Sequence, residues 1–579
     1  MAQNIMQELL YGDLLAPTEG YHTDFAMGMT YSLGFDALMT SQLAFGMLGD
    51  MDEKDIQSPH LLLEAIIKNS DKMVIFCNKG SIAVPPTVRK VYSLLEKNIY
   101  EVFNLDNTKA NFHPKLWLIR EVNNDNAKDV LMKLIVSSRN MAYSDNIDCI
   151  ACLTGKVGKV QNKNEKHTRL RTFIEKVLSY SNISDEKAKQ VKALAKDIEK
   201  VEKFEVSAPF EDYDFYPYLF KEEFGLGRVK DYLCGTESII VSPFIDKTFI
   251  EKNLLNSHCS LITRKEFVTK DLFYQIVPKG NIYIALDDLA SRGMDVHAKM
   301  YLVWQGREKH YLYLGSANAT GKAFNENAEF LLQLKFSYGN SKYNYFLKDF
   351  YEEGNKDSKF CPLNEPLEKT SAEVVWDKAE LAMKDMMCAD DLMAKITKHR
   401  DCSYSVVVTS SLKKIENPVY IAPMQRKDME LEWKGRAKFD GLKIDELSEF
   451  YIVCSKSEEG KRYESVIRIL TEGMPNDRDT AIYKSILKNK HDFLKFLELM
   501  LSDTPVQQMS SELLQKEMGI GGSNEEGHEY SQIYERMLKV AAVNPSQILQ
   551  IGKMLDKLDG ETVPEEFGRI YKQFLNAIK

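Results

Sequence analysis

The chain has 579 residues, 44% hydrophobic and 28% charged, with 17 prolines. That balance excludes disordered and fibrous classes and leaves room for two to four domains. A net charge of −9 excludes a global basic footprint, so any nucleic-acid contact must come from local positive potential.

At the start, "MAQNIMQELLYGD" has neither the basic n-region nor the apolar core of a signal peptide. The apolar run "LLLEAII" (Leu61–Ile67) is short and broken by Glu64. No segment approaches the roughly 18 apolar residues of a membrane span. The expectation is a cytoplasmic protein with no membrane contact. Nine scattered cysteines, an odd number, suit a reducing compartment.

β-rich runs alternate with helical patterns through the first 350 residues, predicting an α/β architecture. The first set of predicted strands is Ala26–Phe35, Lys72–Cys77, Lys115–Arg120 and Leu131–Ser138. Cys149 and Cys152 ("CIAC") lack the second pair or the histidines of a zinc site, and read as small apolar residues of a buried strand. From Ala151 to Lys200 a helical stretch carries twelve Lys+Arg against six Asp+Glu. Its two readings are a solvated helix face and a surface for phosphate backbone. "EDYDFYPYLF" (Glu211–Phe220) reads as an acidic, aromatic linker.

A second strand set follows: Ser238–Phe244, Cys259–Thr263, Asn281–Leu286, Lys299–Trp304 and His310–Ser316. Its order and spacing echo the first, as in a fused pair of half-domains. Short strands from Ser403 to Leu470 predict a small separate β domain, and a helical pattern begins at Asn476. "GIGGSN" (Gly519–Asn524) lacks the ending and the preceding strand of a phosphate loop and reads as a connector. The predicted boundaries are 1–155 and 226–350 for the two halves, and 156–225 for a basic helical connector and linker. A linker helix with the β domain takes 351–475, and a helical domain takes 476–579.

Of the ten histidines, only His113 and His297 have lysine at i+2, Lys115 and Lys299. Each pair is followed by Ser-x-Asn, then by Asn-x-acid. The first half gives Ser138, Asn140, Asn146 and Asp148; the second gives Ser316, Asn318, Asn327 and Glu329. Residues i and i+2 of a strand share a face, so each His and Lys would project together. Lys, Asn and Ser can hold the non-bridging oxygens of a phosphate. The acid can accept the Nδ1 proton of a histidine and leave Nε2 free to attack. Displacement at phosphorus needs a nucleophile and an acid for the departing oxygen, and two facing copies supply both. With ordinary imidazoles near pH ~6.5, one neutral and one protonated ring would coexist. No metal and no cofactor is required.

"HAK", "GSAN" and "NAE" in the second half resemble the phospholipase D superfamily, whose motif is His-x-Lys, Gly-Ser-x-Asn and Asn-x-Glu. The first half departs at Ser137, where the family has Gly, and at Asp148, where it has Glu. "SIIVSPFID" also looks like the family's opening strand. Arg120 and Trp304 occupy the positions of the Asp that completes the fuller motif. The chain is therefore more similar to the nuclease and tyrosyl-DNA phosphodiesterase branches than to lipid-hydrolysing members.

The resemblance covers roughly residues 1–350. It implies two pseudo-symmetric α/β/α halves sharing one active site, followed here by the small β domain and the C-terminal helical domain. It implies His113 and His297 as nucleophile and acid/base, with Lys115, Lys299, Asn140 and Asn318 as phosphate ligands. Ser138 and Ser316 would also bind phosphate, and Asp148 and Glu329 would orient the histidines. The expected function is a metal-independent nuclease acting through a phosphohistidine, on DNA ahead of RNA. The plan resembles bacterial restriction or phage-defence nucleases that act beside an ATPase or helicase. A homo-oligomer is left open. The competing readings are a phospholipid or small-molecule phosphodiesterase and a catalytically silent scaffold subunit.

Overall fold

Runs of Val, Ile, Leu and aromatic residues in four- to ten-residue stretches become strands, and in two places they assemble in the same order. The computed structural model describes residues 11–45, 59–159, 164–222, 224–501 with short gaps, and short stretches between 536 and 572. The first sheet contains β1 (Tyr21–Thr30), β2 (Met73–Asn78), β3 (Ile99–Val102), β4 (Leu116–Asn123), β5 (Val130–Ser137) and β6 (Ile150–Val157). Their order is β3-β2-β1-β4-β5-β6. β1 to β3 run parallel, and β4 to β6 join antiparallel. β2 and β3 are buried along their whole length, and β2 accordingly reads as a near-continuous apolar run.

The second sheet contains β7 (Phe210–Tyr218), β8 (Glu237–Val241), β9 (His258–Ile262), β10 (Gly280–Ala285), β11 (Met300–Gln305), β12 (Lys309–Gly315), β13 (Glu329–Phe336) and β14 (Phe360–Pro362). Six of these strands, β10-β9-β8-β11-β12-β13, repeat the order of the first sheet. They also repeat its pattern of parallel and antiparallel pairs. Met27, Leu118 and Leu134 of the first sheet share one buried cluster with Leu302, Leu314 and Leu332 of the second. The two sheets are therefore joined through a common core.

The predicted linker at Glu211–Phe220 is in fact the edge strand β7, paired with β13. Tyr213 and Phe215 point into the core, while Asp212 and Asp214 point outward to Lys166 and Arg169 of the helix Glu165–Val177. Pro217 is tolerated because β7 is an edge strand. The basic stretch is thereby neutralised in part. Arg171 pairs with Glu175 and Glu199, Lys176 with Glu222, and Lys200 with Asp197. That gives these five cations a structural role. Cys149 is buried as expected, but Cys152 on edge strand β6 is exposed.

The β-rich region forms two four-stranded sheets. One holds Met393–Lys398, Tyr404–Thr409, Arg436–Leu442 and Thr471–Glu472; the other holds Val419–Pro423, Leu431–Glu432, Phe450–Lys456 and Arg462–Arg468. It has a core of its own around Val408, Ile421, Trp433 and Ile467. It is not separate, however. Met424, Phe450, Ile452 and Val466 join the cluster on the outer face of the first sheet. Phe493, Phe496 and Leu497 of the helix Lys490–Met500 join the same cluster. The connector read at Gly519–Asn524 and the N-terminal ten residues lie outside the described residues.

Candidate active site

His113 and His297 do not lie on β4 and β11 but just ahead of them, at Leu116 and Met300 respectively. The backbone there pairs across to the other sheet. Phe112 bridges Ala328, and the His113 N–H donates to Ala328 O at 2.9 Å. Val296 bridges Ile147, and the His297 N–H donates to Ile147 O at 2.9 Å. These crossed bridges keep the chain extended, so each His and Lys still share a side. Lys115 Nζ donates to His113 O at 3.0 Å, and Lys299 Nζ to His297 O at 2.5 Å.

Each histidine meets the acid contributed by the other sheet's segment. His113 Nδ1 lies 2.9 Å from Glu329 Oε2, and His297 Nδ1 lies 2.7 Å from Asp148 Oδ1. Sequence spacing could not give this exchange, because each acid stands nearer in sequence to the wrong histidine. With each carboxylate accepting an Nδ1 proton, Nε2 is the unprotonated nitrogen of both neutral rings.

The serines take a different part from the one expected. Ser138 Oγ donates to Asp148 Oδ1 at 2.6 Å, and Ser316 Oγ donates to Glu329 Oε2. Each hydroxyl oxygen also accepts a backbone N–H, from Cys149 or Phe330, at 2.9 Å. Both are fully buried, so their protons hold carboxylates instead of reaching toward a phosphate. Asn327 Nδ2 adds a hydrogen bond to Glu329 Oε1 at 3.1 Å. Asn146 does not do the same for Asp148; its Oδ1 accepts from Arg264, which also donates to Val296 O.

Asn140 and Asn318 lie on loops fastened in matching ways. Met141 N donates to Thr30 Oγ1 and Ala319 N to Ser242 Oγ, both at 3.0 Å. Asn140 Oδ1 accepts from Ser32 N at 3.4 Å, leaving its amide N–H groups for other partners. Asn318 Oδ1 is buried and has no hydrogen-bond partner among the described residues. Tyr31, which sequence reasoning missed, sets its ring 5.2 Å from that of His113 and 5.8 Å from Lys115 Nζ. Nothing in "MTYSLGF" marks it; only the packing does.

Burial dominates the electrostatics. It pulls both imidazoles down to about 4, with Lys115 and Lys299 pushing the same way and the paired carboxylates opposing. Burial also lowers Lys299 to about 8 and takes Lys115 well below its usual value. Asp148 and Glu329 are raised by burial, but the histidines, lysines and serines outweigh it and leave both below their ordinary range. The expectation of one protonated ring at neutral pH therefore fails for the free site, where both rings are neutral. With both lysines protonated, two cations balance two carboxylates. A bound phosphodiester adds one negative charge, which one imidazole can meet by taking up a proton.

Among the described residues no group of three or more His, Cys, Asp or Glu is arranged to hold a metal ion. No helix among them is long and apolar enough to cross a membrane. No family model and no curated protein matches the chain. Among solved structures it has a distant neighbour in a mutant form of yeast tyrosyl-DNA phosphodiesterase 1. That structure is 12% identical over 56% of this chain and 85% of the other, with a TM-score of 0.33.

Proposed function

We propose that this chain is a phosphodiesterase that hydrolyses nucleic acid, DNA ahead of RNA, through a phosphohistidine intermediate. Two phospholipase D-like halves, 1–155 and 226–350, each lend one His-x-Lys to a single site. The observation that carries the reading is the exchange of carboxylates, Glu329 on His113 and Asp148 on His297. It makes each histidine depend on the other half.

Lys115, Lys299, Asn140 and Asn318 hold the non-bridging oxygens, and Ser138 and Ser316 hold the carboxylates that orient the rings. Nε2 of one histidine attacks phosphorus, forming the N–P bond as the P–O bond to the leaving group breaks. The second histidine, protonated when the anion binds, gives its proton to the departing oxygen. It then takes a proton from water as that water attacks, releasing the first imidazole. The lysines and amides supply the positive potential that this displacement needs, so the reaction is expected to proceed without a divalent metal. We place the enzyme in a bacterial restriction or phage-defence system beside an ATPase or helicase, on the basis of a catalytic core followed by β and helical modules.

The test is cleavage of labelled single- and double-stranded DNA and RNA in EDTA, beside His113→Ala and His297→Ala. Cleavage that persists in EDTA and is lost in both variants is expected. A requirement for magnesium would overturn the mechanism. One observation favours a second reading, a phospholipid or small phosphodiester substrate. An apolar cavity of about 300 Å³, walled by Met300, Leu312, Leu314 and Phe360, reaches Asp148 and Ala298. Turnover of phosphatidylcholine alone would select it.

A further inference from the structure

A second cavity, of about 280 Å³, adjoins the site on its His113 side. Tyr31 and Ser32 form the shared wall: the ring of Tyr31 faces His113, and Ser32 holds Asn140. The opposite wall comes from the region after residue 377. Met383, Lys384 and Met387 of the helix Lys378–Met387 line it, together with Tyr463 of the strand Arg462–Arg468.

This wall is built in. Ser465 Oγ donates to Gly80 O at 2.8 Å, and Val466 N donates to Ile82 O at 2.8 Å. Gly80 has a positive φ of 71°, and a side chain there would run into Met387. Lys384 Nζ donates to Asn111 Oδ1 at 3.3 Å, two residues before His113.

The chemistry of the cavity is mixed in a particular way. Two tyrosine rings and two methionines offer faces for a flat group, while Ser81, Glu380 and Lys384 offer polar contacts at its edges. Burial lowers Lys384, with Lys322 pushing the same way and Glu380 opposing. Lys79 and Lys384 in its lining can meet an anion beside Glu380 and Glu464. Stacking on aromatic rings is worth about 1–3 kcal/mol per base, and cations follow the backbone.

We infer that the helix Lys378–Met387 and the strand Arg462–Arg468 complete a subsite for the nucleoside on the His113 side of the scissile phosphate, with Lys384 taking its next phosphate. This rests on the proposed function and assigns the β region a part in substrate binding.

The test uses full-length protein in two assays. In the first, a labelled single-stranded DNA oligonucleotide is titrated into His297→Ala protein with and without Tyr463→Ala or Lys384→Ala, and binding is read by anisotropy. In the second, the ratio of kcat/KM on the oligonucleotide to that on bis(p-nitrophenyl) phosphate is measured for Tyr463→Ala and Lys384→Ala. A tenfold or greater loss of affinity and a matching fall in the ratio are expected, because the small ester does not fill the subsite. If affinity and ratio both stay within twofold of the parent, the subsite is wrong and the catalytic reading stands. If the parent turns over the small ester but does not bind the oligonucleotide, the nucleic-acid reading and the subsite both fall. Oligonucleotide binding that weakens tenfold in a protein that cleaves neither substrate supports the subsite and removes the catalytic reading.

Discussion

A histidine near pKa 4 is a poor acid reservoir in the free enzyme and a ready nucleophile at neutral pH. That has a measurable consequence. Below about pH 4 the imidazoles protonate and Nε2 is lost to attack. Above about pH 8 Lys299 gives up the charge it offers the phosphate, and Lys115, also carried well down by burial, gives up its own. The profile of kcat/KM, which reports the free enzyme, is therefore expected to rise through about 4 and to fall, as the two lysines lose their charge, by about 8. The acid limb of kcat should lie higher, because a bound phosphodiester anion favours imidazolium. Initial rates on a chromogenic diester from pH 3.5 to 9.5 give both limbs. An acid limb of kcat/KM left near 6.5 would contradict the burial of these rings. Here the sequence was informative about which residues matter and silent about their state. His-x-Lys, Ser-x-Asn and Asn-x-acid can be read off the chain, whereas desolvation and the swapped carboxylates arise only when two distant segments meet.

At the scale of elements, the two sheets pair alike but are not interchangeable residue for residue. Ser137 and Gly315 both end the strand that precedes the site serine. Ser137 is accommodated, its Oγ donating to Arg139 O at 3.2 Å. A Cβ on Gly315 would stand 2.2 Å from Phe330 O, on the strand that carries Glu329. Gly315→Ser is thus expected to displace β13 and cost about 1–3 kcal/mol, while Ser137→Gly costs at most about 1 kcal/mol. Denaturant unfolding of the two variants measures the asymmetry, and equal effects would contradict it. The nine strands predicted in the two sets all formed, eight within three residues, because buried parallel and central strands carry long apolar runs; Ala26–Phe35 lies five residues earlier, at Tyr21–Thr30. β7 was missed because alternating Asp and aromatic residues resemble a linker until basic partners on the helix Glu165–Val177 neutralise the acids. β3 and β14 were missed because they are only four and three residues long, and β13 was missed although it has eight residues and is almost wholly buried. The histidines were expected on strands and lie before them, since the backbone pairs with the opposite sheet first.

At the scale of the whole molecule, the chain's later regions close over the first sheet, and one buried ion pair lies at that closure. Arg478 donates to Glu96 Oε2 at 2.7 Å, with both side chains 5% exposed. Glu96 also accepts from Ser448 Oγ and Glu449 N, at 2.7 Å each, so three segments of the chain converge on one carboxylate. Burial raises the Glu96 carboxyl, and Arg478 is the strongest influence opposing that rise. Removing the arginine alone leaves a buried charge without its counterion, an effect of about 3–5 kcal/mol. Removing both charges takes away the penalty along with the attraction, and Gln at 96 can still accept the hydrogen bonds from Ser448 and Glu449. Arg478→Met is therefore expected to lower the unfolding free energy by that amount, and adding Glu96→Gln should recover at least half of the loss. A double variant no more stable than Arg478→Met would mean that the helix Arg478–Ile486 is held by its apolar packing and not by this pair. If the pair governs closure, Arg478→Met should also weaken oligonucleotide binding, because the wall carrying Tyr463 and Lys384 docks on the same sheet.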